Sequence, residues 1–424
     1  MNKFILLLLP VVIFAANFND ILKGVDENLL VKSKEKKSEA LEELYLSSKG
    51  KNYPSIDISI NAIKLRDTPS ATFALVPGMP PSQIEIGVRD NYSYQIGFTY
   101  PIFTGFAITN TIKKAKLEVI KSKLETKNLK RELYLKAASL YSAIYSINQA
   151  IKATKVALKA IDLSYNKAKG LYENGLLNQS GVYNIEAKRY DTVAKIKELE
   201  AKKDRLNNAL FQISGKKVAS DFKLPEIKNI QSRESIIQKA LSNREDIKAI
   251  KEELHISQSD IDLANSLYYP KVALVGALKR EGKNLRFNGD GHTNPDKSYI
   301  GINFSWNIFD GFSKKHKKEA AIKKKEALVL YLKNYENVVK NEINDLFIDL
   351  KSLKYRLIAA KKSEQAKEEY LKLTKSRFEN SLASADELTR AIADLASAKA
   401  KAESIRADIF RVEYRLVLEL GIKS

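Results

Sequence analysis

The stretch Tyr299-Ile-Gly-Ile-Asn-Phe-Ser-Trp-Asn-Ile-Phe-Asp-Gly-Phe312 changes period part-way along. Up to Ile308 the apolar residues occupy every second position, Ile300, Ile302, Phe304, Trp306 and Ile308, with Tyr299, Gly301, Asn303, Ser305 and Asn307 between them. That alternation predicts a strand with one apolar and one polar face. After Gly311 there is neither Pro nor Gly as far as Asn380, and the apolar spacing becomes helical. A strand therefore feeds directly into a very long helix.

The same transition occurs earlier. Tyr94, Ile96, Phe98 and Tyr100 alternate with Gln95, Gly97 and Thr99, and Ile102-Phe-Thr-Gly-Phe106 matches Ile308-Phe-Asp-Gly-Phe312 at an offset of 206. The offset persists: Tyr172-Glu-Asn-Gly-Leu176 aligns with Phe378-Glu-Asn-Ser-Leu382, and Leu210–Gly215 with Leu416–Gly421. The chain is a tandem duplication of one strand-strand-helix-helix unit, so its 424 residues form one architecture instead of several unrelated domains.

Outward from these junctions the plan is regular. Residues 1–16 read as a secretory signal, with a charged start, a short apolar run and Ala15-Ala16. Residues 17–52 read as an amphipathic helical segment, and 53–104 as the first β-hairpin, opened by Tyr53-Pro54, with a phase shift at Ile63–Arg66 that predicts a bulge or the strand's exit, a Pro-rich loop over Asp67–Gln83, and a returning strand from Ile84 broken near Asp90-Asn91. Residues 105–215 form a long helical hairpin with its tip near 174–180, 216–231 a linker, and 232–268 two helices split at Ser242-Asn243. The second hairpin spans 269–310, opened by Tyr269-Pro270, with a loop over Glu281–Lys297; the second helical hairpin spans 311–421 with its tip near 380–386, leaving a short tail at 422–424.

Each long helix carries a stripe in alternating steps of four and three. The first runs through Leu133, Ala137, Leu140, Ile144, Ile147, Ile151, Leu158, Ile161, Tyr165, Ala168 and Tyr172. The second runs through Val339, Ile343, Leu346, Leu350, Leu353, Leu357 and Ala360, then turns polar at Glu364 and Lys367. These are heptad seams. At about 1.5 Å per residue, such helices extend roughly 100 Å.

The composition excludes several function classes. There is no cysteine, hence no disulfide, thiolate metal site, cysteine nucleophile or lipidated cysteine. His255, His292 and His316 stand apart, without metal-ligand spacing, and no catalytic constellation or phosphate-binding glycine loop occurs. No cofactor and no enzymatic role are expected. The net charge of +21 is spread along helix faces among acids, as in Lys113, Lys114, Lys116 and Glu118, which describes solvated faces better than a nucleic-acid patch. His316 lies in Ser313-Lys-Lys-His-Lys-Lys318, read as a solvated basic collar. No helix-length apolar run of about 20 residues is present, so any membrane crossing belongs to strands of about 9 to 11 residues. Tyr94, Tyr100, Tyr299 and Trp306 are of the type that gathers at membrane interfaces. Four strands cannot enclose an interior, which requires strands pooled between chains. The competing reading is a secreted coiled-coil structural or adaptor protein without a pore.

The Tyr-Pro strand openings, the paired Ile-Phe-x-Gly-Phe junctions, the paired tips and Leu241-Ser-Asn-Arg-Glu-Asp-Ile247, similar to an Arg-Pro-Asp-Leu helix start, together resemble the TolC-type outer-membrane efflux proteins over essentially the whole mature sequence. The resemblance implies an α+β membrane protein: a homotrimer whose pooled strands form a 12-stranded β-barrel in the outer membrane, in contact with its lipid, and whose helices form a periplasmic α-helical barrel. It implies a passive exit duct for tripartite efflux or type I secretion, joined to an inner-membrane transporter through a periplasmic membrane-fusion adaptor. On that footing Gly175, Leu176, Leu177, Ser381, Leu382 and Ala383 are the adaptor-contacting tips, and Asp386, Glu387 and Arg390 lie at the periplasmic entrance. Ser381 replaces the glycine the family often has there, so the second tip is expected to turn differently; Glu387 and Arg390 are expected either to pair within or across chains and close the entrance, or to be an ordinary exposed surface pair.

Overall fold

The two Tyr-Pro turns set up the sheet. In the computed structural model, which describes residues 17–74, 78, 80–218, 221–380 and 382–422, the strands β1 (Ser55–Lys64), β2 (Ser70–Phe73), β3 (Ser82–Glu85), β4 (Asp90–Phe103), β5 (Lys271–Gly282) and β6 (Tyr299–Ser305) alternate with eight helices. The helices are α1 (Phe18–Asp26), α2 (Leu29–Gly50), α3 (Ala107–Glu173), α4 (Gln179–Ser214), α5 (Arg233–Asn243), α6 (Glu245–Ser266), α7 (Ser313–Glu379) and α8 (Ala385–Leu418). The signal segment 1–16, the tip residue Ser381 and residues 423–424 of the tail lie outside the described residues.

The duplication is visible element by element. α3 and α7 each have 67 residues, and α2 and α6 each have 22. β1, β4, β5 and β6 form one antiparallel sheet in that order, so each copy contributes a hairpin and the two hairpins meet at β4 and β5. Contacts divide the chain into two units, one of residues 37–122 and 250–331, which holds the sheet, and one of residues up to 36, 123–249 and from 332 onward, which holds the helical packing.

Within the helical unit the heptad seams close into three apolar clusters. Phe18, Ile21, Leu133, Ala137, Tyr141, Ile144, Leu210 and Phe410 form the first; Val339, Ile343, Leu346, Leu350, Leu353, Ile405 and Leu416 belong to the second; Ala157, Ile161, Ala168, Val182, Ile185, Phe378, Leu388 and Ile392 belong to the third. Each buried Leu, Ile or Phe contributes about 1.5–3 kcal/mol relative to exposure. One seam position and one neighbour of the seam differ from expectation. Tyr172 is exposed beside the tip, while Tyr141, one step off the stripe, is fully buried between Phe18 and Phe222.

Several boundaries are corrected. Residues 17–52 are helical, as expected, in two pieces: Asn17 forms a capping box with Asp20 on α1, and Asn28 interrupts the run by accepting from Leu30 N (2.8 Å) and donating to Ile213 O (2.9 Å). The Pro-rich loop contains β2, which pairs with β3 as a separate two-stranded sheet. The break in the returning strand falls between Glu85 and Asp90, earlier than Asp90-Asn91. There is no bulge at Ile63, whose pairing with Asn91 is in register, and β1 ends at Lys64; the irregularity lies at Pro101/Phe103, where proline has no N–H to give the ladder. β6 stops at Ser305, so Trp306 and Ile308 are not in a strand. Lys314 of the basic run is not solvated: it is buried, with its Nζ on the Asn307 backbone carbonyl.

Candidate functional site

The sheet has one apolar face, and the register builds it. Ile58 lies opposite Ile96 and Ile96 opposite Leu278; Ile56, Phe98, Gly276 and Ile300 form the next row; Tyr100, Leu274 and Ile302 the next. In-register neighbours share a face, so these rows make a continuous apolar surface. The opposite face carries Asp57, Gly97 and Ala277, then Ser59, Gln95 and Lys279. Ile56, Ile58, Ile60, Ile300, Ile302 and Phe304 are all well exposed. β1 and β6 are the outer strands, each paired on one side only.

The four interface aromatics separate on this frame. Tyr94 and Tyr100 stand on the apolar face, Tyr94 against the Phe287 ring at 4.9 Å. Tyr299 pairs with Ala277 and therefore belongs to the polar face, where its alternation with Ile300 puts it. Trp306 follows the end of β6, and its indole Nε1 donates to Tyr268 O at 3.0 Å.

The helical tips are built by local caps. At the first, Gly175 adopts φ 72°, its N–H bonds Tyr172 O (2.9 Å), and Leu176 N bonds Leu171 O (2.8 Å), the closing pattern of a left-handed helix end. Asn178 then caps α4 by accepting from Gly181 N at 2.9 Å. The second tip closes the same way: Leu382 N bonds Arg377 O (2.8 Å) and Ser384 accepts from Glu387 N (3.1 Å), each the 206-offset counterpart of the first. Leu176 and Leu382 project into solvent, 72% and 68% exposed, whereas Leu177 and Ala383 pack on the third cluster.

The sequence profile of the family described as outer membrane efflux protein matches residues 26–216 and 236–421, one match per repeat. This chain belongs to the outer membrane efflux protein family. No curated protein matches the sequence significantly. Solved structures share its fold: the outer-membrane channel OprN (16% identity, TM-score 0.79, covering 95% of this chain and 89% of that one), the CmeC channel of Campylobacter jejuni (16%, 0.78, 95% and 85%) and VceC of Vibrio cholerae (15%, 0.76, 95% and 96%).

Beside the second tip two ion pairs form within the chain. Arg390 binds Asp386 at 2.8 Å, one helical turn away, and Glu387 binds Arg377 at 3.3 Å; Glu387 and Arg390 are not partners within the chain. Arg377 additionally donates to Leu382 O at 3.2 Å, tying the tip to the helix before it.

The Arg244 region, noticed only through resemblance, is a buried ionic network. Arg244 lies between α5 and α6, 3% exposed, bonded to Asp246 at 2.6 Å and to Glu419. Arg131 of α3 reaches Asp246 at 2.9 Å, and Tyr335 of α7 donates to the same carboxylate at 2.8 Å. Burial alone raises the Asp246 carboxyl, but bonding and charge from Arg244 and then Arg131 outweigh it and hold it below the usual range. Burial, then Asp246, pushes the Tyr335 phenol up to about 12. Its members stand at positions 131, 244–246, 335 and 419, far apart in the sequence, so no local pattern announces it. Among the described residues no cluster of His, Cys, Asp and Glu suits a metal ion, and no helix is long and apolar enough to cross a membrane.

Proposed function

We propose that this outer-membrane efflux protein is a passive exit duct assembled from three copies, with twelve pooled strands forming the barrel and α3, α4, α7 and α8 of each copy contributing to a periplasmic tunnel. The observation that carries the proposal is the four-stranded sheet: apolar on one face, polar on the other, and open at β1 and β6. Its strand directions alternate, so β6 of one copy meets β1 of the next antiparallel and a ring closes without a free edge. A soluble coiled-coil adaptor has no use for such a surface.

The tips serve as the docking end. Leu176 and Leu382 offer two exposed apolar side chains, each held by a rigid cap, to the helical hairpin of a periplasmic membrane-fusion adaptor that links the duct to an inner-membrane transporter. No step of bond-making chemistry is required. Conduction follows from shape, and cargo selection lies with the transporter.

Extraction from isolated outer membranes, native mass measurement in detergent and single-channel recording test the proposal together. A heat-dissociable trimer that conducts after insertion into planar bilayers is the expected result. Recovery as a detergent-independent soluble monomer would overturn it.

A further inference from the structure

Each strand-to-helix junction is one half of a joint. In the first copy Gly105 and Phe106 take left-handed φ values of 65° and 68°, and a Cβ on Gly105 would meet Ser266 O at 2.7 Å and Tyr269 Cβ at 2.8 Å. The Phe106 ring stands edge-on to Phe103 at 5.4 Å and to Tyr269 at 5.7 Å. The junction is thus seated on the turn that follows α6.

The second repeat has the junction and the first repeat has the seat, but among the described residues neither has a mate. Gly311 and Phe312 show the same left-handed pair, both φ 67°, and Phe312 stands edge-on to Phe309 at 5.5 Å; yet a Cβ on Gly311 would touch nothing within 4 Å. The turn after α2 reproduces the turn after α6 at an offset of 216: Lys51, Asn52 and Tyr53 N–H groups bond Ser48, Lys49 and Gly50 carbonyls, as Leu267, Tyr268 and Tyr269 bond Ala264, Asn265 and Ser266. Tyr53 and Phe309 are each 71% exposed, and nothing lies within 4 Å of a Cβ built on Gly50.

We propose that the two half-joints complete each other between copies: Gly311, Phe309 and Phe312 of one chain seat on Gly50 and Tyr53 of a second copy, as Gly105, Phe103 and Phe106 seat on Ser266 and Tyr269 within the chain. The proposal rests on the assembly reading above and fixes its register. Transferring the β4–β5 pairing, in which Tyr100 faces Leu274 and Thr99 faces Val275, by the two offsets places Trp306 opposite the second copy's Ile58 and Ser305 opposite its Ser59. It also accounts for the early end of β6. Tyr100–Phe103 belong to a strand because β5 lies alongside, and Trp306–Phe309 do not because their partner is another molecule's β1.

The absence of cysteine makes the test clean. In full-length protein in outer membranes, Ser59→Cys with Ser305→Cys is expected to give reductant-sensitive covalent oligomers after boiling, since directly opposed residues hold their Cβ atoms about 4.5–5.5 Å apart. Asn61→Cys with Ser305→Cys, two residues out of register, is expected to stay monomeric. A native trimer that fails to crosslink at 59/305, or crosslinks better at 61/305, overturns the register and leaves the trimer standing; no trimer at all removes both. In a further arm, Tyr53→Ala and Phe312→Ala each lower the temperature at which the trimer dissociates, and the double variant falls by less than the sum. Additive losses would overturn the aromatic seat.

Discussion

The Arg131 guanidinium lies 2.9 Å from the Asp246 carboxylate, in a site where both side chains are nearly sealed from solvent. Arg244, Glu419 and Tyr335 complete the same network, so Asp246 is shared by two cations and one phenol. Such a cluster ties α3, α6, α7 and the end of α8 at one point.

Removing one partner leaves buried charge uncompensated. Asp246→Asn is expected to destabilise by about 3–5 kcal/mol, read as a lower denaturant midpoint in detergent, whereas replacing a surface partner such as Asp386 costs under about 1 kcal/mol. The pH dependence has a definite sign. Because the folded Asp246 carboxyl is held below the ordinary value, its stabilisation is present above the ordinary carboxylate range and lost as pH falls through the lowered value. Wild type and Asp246→Asn should therefore converge in strong acid; a constant gap would count against the assignment.

Glu413 behaves oppositely. Burial raises its carboxyl pKa, only partly offset by Lys354 at 4.0 Å. A raised acid pKa penalises the folded state at neutral pH, and the penalty disappears as pH falls below the ordinary value. Glu413→Gln should raise the unfolding midpoint at pH 7, with the gain vanishing near pH 4. A stability loss at pH 7 would refute this.

How much of this was legible follows from range. The heptad seams, the junctions and the tips are local patterns, and Leu133, Ile144, Val339 and Ile343 are buried where their periodicity puts them. The face of Tyr299 was legible too, since it alternates with Ile300. The end of β6 was not, because the alternation through Trp306 and Ile308 describes a pairing that one chain alone does not make. The ionic network joins residues 131, 244–246, 335 and 419, and the tip pairing of Glu387 depends on Arg377 across the turn. Only the folded backbone brings these together.

Gly276 is a packing site on the apolar face. A Cβ there would come within 2.4 Å of the Phe98 ring, which covers the gap between β4 and β5. Gly276→Val should displace the ring and reduce the yield of assembled, heat-resistant protein, while Gly301→Val, where a Cβ meets nothing, should assemble normally. Equal yields from the two variants would exclude this role.

Arg377 ties the second tip more firmly than Arg390 does. It bridges the second tip by donating to Leu382 O and to Glu387, whereas Arg390 holds only the exposed Asp386 one turn away. Two contacts from one guanidinium restrain the loop between α7 and α8; a single exposed i,i+4 pair restrains little. Arg377→Ala should therefore increase conductance fluctuations in planar bilayers and weaken retention by a co-expressed adaptor, and Arg390→Ala should resemble wild type in both. If Arg390→Ala alone alters the recordings, the entrance is held by contacts between chains and not by the tip of each.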